Sequence, residues 1–299
     1  MYRCIAEFIA GRSGHATTAD LLTLITRAQL DHLVKTGELI RVWHGVYGTA
    51  APDRWGRLAA LDAHIGQPAV ACMGTAAALY GFDTEGRTAV HILDPGVRVR
   101  PTVGLMVHQR LGAPLQRVQG RLATAPAWTA VEVARTLTRP RALATLDAAL
   151  RSGWCTRADL DTAIDEQKGR RGIVAVRALA PLADGRAESA MESEARLVMI
   201  DGGLPRAELQ FVITGSDQSW RVDFAWPHHG VVAEYESVEW HAGPLQMVRD
   251  KVRFAAIQQL GWTVIPIVAS DVRVHPRRLV DRIDEHLSRP TSASRRELA

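Results

Sequence analysis

Residues 220–226 read W-R-V-D-F-A-W and residues 231–236 read V-V-A-E-Y-E, with Pro227-His228-His229-Gly230 between them. Both runs are rich in β-branched and aromatic residues, and Pro and Gly bracket the connection, so the stretch is predicted to form a β-hairpin. A four-residue connection sets Trp226 opposite Val231, and counting outward along the strands brings Asp223 opposite Glu234. Directly opposed side chains on an antiparallel pair have Cβ atoms about 4.5–5.5 Å apart, where like charges repel. Alternation places Glu236 on the face of Glu234, with Val222, Phe224, Ala233 and Tyr235 expected on the other. Carboxylates gathered on one face are costly unless a divalent cation neutralises them, and an all-oxygen donor set suits Mg²⁺ or Mn²⁺. The competing reading is a set of solvated surface acids, the ordinary state of a lone Asp or Glu on a strand.

The neighbours of the hairpin favour the first reading. Met191-Glu192-Ser193-Glu194-Ala195-Arg196-Leu197 opens an amphipathic helix, and Gly203-Leu204-Pro205 precedes the hairpin. After it come Trp240-His241, a helix carrying Arg249-Asp250-Lys251, and Leu260-Gly261-Trp262-Thr263-Val264 leading into another strand. This order resembles the PD-(D/E)xK endonuclease superfamily, and within it the small actinobacterial nuclease-like domains related to very-short-patch repair endonucleases. The resemblance covers residues 186–288 and implies a restriction-endonuclease-like mixed sheet flanked by helices. It also implies a metal-dependent endodeoxyribonuclease using Mg²⁺ or Mn²⁺. Asp223 and Glu234 would be metal ligands, with Glu192 or Glu236 completing the set or holding metal-bound waters. His241 matches the family's following histidine, either a general base or water-positioning group or a loop residue. Lys251 or Arg249 would face the scissile phosphate, unless each is merely a solvated helix cation. Glu236-Ser237 stands where the family usually has Asp-Gly, which keeps a carboxylate but lengthens it.

The N-terminus carries a second pattern. Residues 2–11 form a helical stretch, and Thr17-Thr18-Ala19-Asp20-Leu21 starts a second helix. Thr26-Arg27-Ala28-Gln29 is a capping box opening a third helix, with Leu30, Leu33 and Val34 inward and Gly37 at its stop. Leu39–Trp43 and Gly45–Tyr47 then read as a small hairpin. Three helices and a wing make a winged helix-turn-helix, whose third helix enters the major groove. Its DNA-contacting face would carry Arg27, Gln29, His32 and Lys35, with Asp31 beside them and Arg41 and His44 on the wing near phosphates; such modules also dock proteins. The ending G-x-L-x-R-V-x-x-G-V-Y resembles the N-terminal domain of abortive-infection antitoxins of type IV toxin–antitoxin systems.

That resemblance continues more loosely over residues 55–180. Helices are expected at Thr75–Gly81, from Thr124-Ala125-Pro126, at Leu143–Leu150 and from Thr156 through Ile164, and strands at Ala89–Leu93 and Leu105–Gln109. His91 and His108 fall in those strands and read as core or edge histidines. Lys168-Gly169-Arg170-Arg171-Gly172 reads as a basic solvated loop. The expected organisation is residues 1–50 as winged helix, 51–185 as an antitoxin-like α/β module, 186–288 as the nuclease-like domain and 289–299 as a disordered tail. The fold class is α+β / α/β.

Composition bounds the function classes. With 299 residues, 47% hydrophobic and 23% charged, the chain has the makeup of a globular protein of two or three domains. No apolar run is long enough to cross a bilayer and no signal-peptide pattern opens the chain. Three scattered cysteines show no metal-ligand spacing, and a reducing cytoplasm is the expected location. A net charge of +4 permits a polyanionic partner. DNA is the expected partner, along with a second copy of the chain and a toxin or repair/defence protein; no membrane is expected. Three readings remain open: an endonuclease targeted by its winged helix, a transcriptional regulator or antitoxin whose nuclease-like domain is inert, and an accessory nuclease acting only with a partner.

Overall fold

The two threonines read as helix starts each cap a helix in the computed structural model, which describes residues 2–99, 101–109, 112–216, 218–236 and 244–289. After α1 (Tyr2–Ala10) and the short β1 (Ala16–Thr17), helix α2 (Thr18–Leu22) begins with Thr17 Oγ1 accepting from Asp20 N at 3.2 Å. In return Asp20 Oδ2 accepts from Thr17 N at 2.9 Å. Helix α3 (Arg27–Lys35) repeats the device: Thr26 Oγ1 accepts from Gln29 N at 3.3 Å and Gln29 Oε1 from Thr26 N at 2.8 Å. Each cap contributes about 1 kcal/mol. Strands β2 (Ile40–Trp43) and β3 (Val46–Gly48) form the wing, and β1 pairs antiparallel with β3, an addition the sequence did not announce. Ile5, Ile9, Leu21, Leu30, Leu33, Leu39 and Tyr47 close a core beneath the helices.

The chain divides into two compact units, residues 1–133 with 162–167, and residues 134–161 with 168–299. In the first, α4 (Arg54–Ile65) follows the wing, capped by Asp53 and ended by Gly66 at φ 80°. Then come α5 (Met73–Leu79), the parallel pair β4 (Val90–Leu93) and β5 (Leu105–His108), the antiparallel pair β6 (Leu115–Val118) and β7 (Arg121–Thr124), and α6 (Pro126–Ala134). Trp43 and Val46 of the wing share a core with Leu58, Leu61, Val90, Ile92 and Leu105.

In the second unit, α7 (Arg139–Arg151), α8 (Arg157–Glu166, of which 157–161 belong here) and α9 (Ile173–Leu179) precede α10 (Ala190–Asp201). Arg196 Nη2 donates to the fully buried Asp147 at 2.6 Å, and Glu194 is held between Arg141 at 2.8 Å and both arms of Arg273 at 2.9 Å. The sheet that follows has the order β11-β10-β9-β8, formed by β8 (Glu208–Thr214), β9 (Ser219–Trp226), β10 (Val231–Tyr235) and β11 (Thr263–Ile267). Strands β8, β9 and β10 run antiparallel in turn, and α11 (Pro244–Gln259) carries the chain across so that β11 lies parallel to β10. Helices α12 (Ala269–Arg273) and α13 (Pro276–Leu287) complete the described chain. One side of the sheet packs Leu209, Phe224, Trp226, Val231 and Ala233 against Met199, Leu279 and Ile283. The other gathers Ile213, Val222, Ala225 and Val232 with Ile257 of α11. Each fully buried large aliphatic or aromatic side chain contributes roughly 1.5–3 kcal/mol.

The architecture is mixed α+β, and no helix among the described residues is long and apolar enough to cross a membrane. The tail beyond Arg289 lies outside the described residues.

Candidate functional site

The hairpin has the register its turn length implies. Val231 pairs with Trp226, Val232 with Ala225 and Ala233 with Phe224, around a 3-10 turn at Pro227–His229 closed by Gly230 at φ 61°. One step further the ladder gives way. Tyr235 N donates to Asp223 Oδ2 at 2.8 Å, so the carboxylate takes a strand hydrogen bond and anchors the splayed end of β10.

Across from Asp223 stands Gln210, which interrupts β8 at φ 54° between the pairs Leu209–Phe224 and Phe211–Val222. A non-glycine residue in the left-handed region is uncommon and marks a local constraint. Alternation breaks here. Leu209 and Phe224 join the core under α10 and α13, while Phe211 and Val222 pack on the α11 side. The expectation that Val222 and Phe224 share a face is therefore corrected: the apolar surface changes sides at the Gln210–Asp223 position. Gln210 Nε2 donates to Glu192 Oε2 at 3.1 Å, and the Gln210 side chain also hydrogen-bonds Asp223.

Glu192 sits in the first turn of α10, whose N-cap Ser189 Oγ accepts from Glu192 N at 3.0 Å. Its own Oε2 accepts from Glu188 N at 2.8 Å. Glu234 is 7% exposed, and its Oε2 accepts from Arg253 Nη1 while Arg253 Nη2 reaches Arg221 O at 2.6 Å. The second oxygen of Glu234, Oε1, is buried with no hydrogen-bond partner. Burial pushes the carboxyls of Glu192, Asp223 and Glu234 above their ordinary range. Each feels a neighbour: Asp223 repels Glu192 and Glu234, and Glu236 repels Glu234, while Arg253 acts the other way on Asp223 and Glu234.

The sequence-derived candidates thus divide. Glu192, Asp223 and Glu234 come together. Glu236 is exposed at the end of β10, with its N–H on Ile267 O at 2.8 Å. Lys251 and Arg249 are exposed on α11, and the cation that meets Glu234 is Arg253. His241 lies outside the described residues. Gln210 and Arg253 are the residues sequence reasoning missed. Arg253 had a signal: it stands one helical turn before Ile257, which faces the sheet.

No group of three or more His, Cys, Asp or Glu among the described residues is arranged to hold a metal ion. Mg²⁺, however, keeps several waters and commonly takes only one or two carboxylates. Asp223 with Glu234, whose Oε1 lacks a hydrogen bond, fits that more modest demand.

The N-terminal helices and their hairpin place their candidates differently. Arg27, His32, Lys35, Arg41 and His44 are exposed, as is Asp31. Gln29 is only partly so, because its Oε1 caps α3. The Arg41 guanidinium lies 5.7 Å from the Tyr47 ring centroid. In the central region His91 Nδ1 and His108 Nε2 are 2.9 Å apart with their rings stacked. Burial, followed by His108 and nearby arginines, lowers the His91 imidazole to about 4.

Comparison with known proteins supplies the context. The family model for the AbiEi antitoxin C-terminal domain matches residues 69–182, a span running from just before α5 to just beyond α9. Two Mycobacterium tuberculosis proteins, "Uncharacterized protein MT2308" of strain CDC 1551 / Oshkosh and "Uncharacterized protein Rv2248" of strain ATCC 25618 / H37Rv, are each 68% identical over 270 residues. The aligned region is 90% of this chain and 100% of each relative.

Proposed function

Because the chain belongs to the family of these two mycobacterial proteins and carries an antitoxin-like domain, we propose that it is a DNA-binding regulator of the antitoxin kind. The observation that carries the reading is the winged helix, whose third helix and wing expose Arg27, His32, Lys35, Arg41 and His44 above a closed apolar core. An exposed cationic helix of that shape is suited to the major groove, with wing cations on flanking phosphates. A toxin-type protein is the second partner this reading implies. The test is equilibrium binding of the full chain to duplex DNA across a salt series. Affinity should fall steeply as salt rises, and absence of binding at low salt would overturn the reading.

A second reading is favoured by a separate observation, the cluster of Glu192, Gln210, Asp223 and Glu234 in a helix–strand–strand–strand–helix–strand order. We propose that this part of the chain is a PD-(D/E)xK-type nuclease domain, with Asp223 and Glu234 holding Mg²⁺ or Mn²⁺ and Glu192 or Glu236 holding its waters. The cation would supply an activated water and polarise a phosphoryl oxygen. The chain's own residues do the positioning. Tyr235 N and Gln210 fix Asp223, Glu188 N and Gln210 fix Glu192, and Arg253 offsets the charge of Glu234. Incubating the protein with supercoiled, linear and mismatched DNA, with and without Mg²⁺ or Mn²⁺, separates the two readings: cation-dependent cleavage supports the second, and binding without cleavage leaves the first alone.

A further inference from the structure

The first unit contains a cleft of about 580 Å³, of whose lining only His44 enters either reading. Its inner wall is apolar: Trp43 at the end of β2, Leu61 of α4 and Leu105 of β5 are between 1% and 5% exposed. Trp43 is held rigidly. Its Nε1–H donates to Arg57 O at 2.7 Å, the Arg57 guanidinium covers its ring at 4.5 Å, and Arg57 Nη2 is tied to Val103 O at 3.2 Å. The rim is of another character. His44 on the wing turn, His64 near the end of α4 and Arg98 before β5 are all exposed, and none has a hydrogen-bond or ion-pair partner among the described residues. Other arginines of the same unit are committed: Arg54 to Asp83 and Arg121 to Asp62. No Asp or Glu among the described residues lines the cleft.

A volume of this size is within the range of small-molecule sites, which combine an apolar body with a few convergent polar groups. Here the polar groups are a guanidinium, which binds carboxylates in forked geometry, and two imidazoles, which offer N–H donors in either protonation state. A DNA phosphate would find the same cations on the rim, but would leave the apolar wall behind them unfilled. We propose that this cleft binds a planar aromatic monoanion, its ring against Trp43 and its charged group on Arg98 and the imidazoles. Its occupant also withdraws His44 from DNA, so that binding of the small molecule opposes binding of DNA. That second half rests on the DNA-binding reading above.

The test uses β-naphthoate as the probe and neutral β-naphthamide as its shape match, titrated calorimetrically into the full chain. The expected result is one-to-one binding of naphthoate, with the amide about tenfold weaker or worse, the scale of one charge-assisted hydrogen bond. Arg98→Ala should weaken naphthoate by a similar factor, and Thr102→Trp, at an exposed position on the cleft wall, should abolish it. A melting curve for each variant establishes that it is folded. In the DNA arm, saturating naphthoate should weaken DNA binding several-fold in the unmodified chain and not in Thr102→Trp. No heat of binding at millimolar naphthoate, equal affinity for the amide, or affinity unchanged in both variants would overturn the site. DNA affinity indifferent to bound naphthoate would overturn the competition. A chain that binds naphthoate but not DNA would refute the DNA-binding reading while upholding the cleft.

Discussion

The N-terminal helices with their hairpin and the carboxylate cluster both concentrate charge, and they treat it in opposite ways. On α3 and the wing the cations stand in water above an apolar core, with Arg41 near the Tyr47 ring. In the C-terminal sheet the acids are drawn inside, where burial raises their proton affinity and they repel one another. Charge that serves only a partner can be removed at little cost to folding, whereas charge buried against its own kind weighs on the fold until something neutralises it. The two regions should therefore answer mutation in different currencies, the first in affinity and the second in stability as well as chemistry.

The largest effect should come from the sheet. Under the nuclease reading proposed above, Asp223→Asn combined with Glu234→Gln should reduce cation-dependent DNA cleavage on the order of a hundredfold or more, since even outer partners of a metal commonly matter tenfold to a hundredfold. The same variant should melt close to the parent, because relief of the repulsion between Asp223 and Glu234 is set against loss of the Glu234–Arg253 ion pair. Undiminished cleavage, or a large fall in melting temperature, would erase the contrast with the winged helix.

Next in size is the salt response. Replacing Arg27, Lys35 and Arg41 with Ala should lower the slope of log affinity against log salt by up to about 2.7, at about 0.9 per phosphate contact, and leave the melting temperature within about a degree or two. A slope that does not move would remove these residues from the DNA interface.

Acidity should pull the two units apart. His91 is held near 4 against an ordinary 6.5, so as pH falls below about 6.5 the unfolded chain takes a proton that the fold refuses. The first unit loses stability there, progressively as pH falls from about 6.5 towards 4. Glu192, Asp223 and Glu234 are shifted upward. As pH falls through their raised range, the fold accepts these protons before the unfolded chain does, so these three groups add to the stability of the second unit. Hydrogen exchange at pH 7 and pH 5, corrected for intrinsic rates, should show amides of the first unit less protected and those of the second more protected. A common direction in both would contradict the assignment.

The smallest effect is local. Thr26→Ala removes the cap of α3 and should cost about 1 kcal/mol, or roughly 3 °C in melting temperature, with DNA affinity changed only a few-fold.

Much of this was legible in the chain where a short connection or a local hydrogen bond dictates geometry. The turn at Pro227–Gly230 sets the register as far as Ala233–Phe224, one step short of Asp223 and Glu234, and Thr26-x-x-Gln29 states its own cap. What the sequence withheld depends on distant partners. Gln210 looks like any polar residue in a strand, and only the opposing β9 shows that it bridges Asp223 and Glu192. The His91–His108 pair arises from two strands that run parallel, so no tight turn between them fixes which residues meet. Gln29 reads from the sequence both as the capping partner of Thr26 and as part of the DNA-contacting face; its side-chain oxygen accepts from both the N–H and the hydroxyl of Thr26.

The kink at Gln210 also has an evolutionary consequence. Its opposition to Asp223 belongs to a single register that runs from Glu208–Ala225 to Thr214–Ser219. Residues gained or lost in the turn between Thr214 and Ser219 would leave every pair of that register in place. One residue gained between Gln210 and Thr214 would either slide Gln210 off Asp223 or send each later side chain to the opposite face. Length variation among descendants of this gene therefore belongs in the β8–β9 turn, and the strand between the kink and that turn should keep a constant length however far its residues drift.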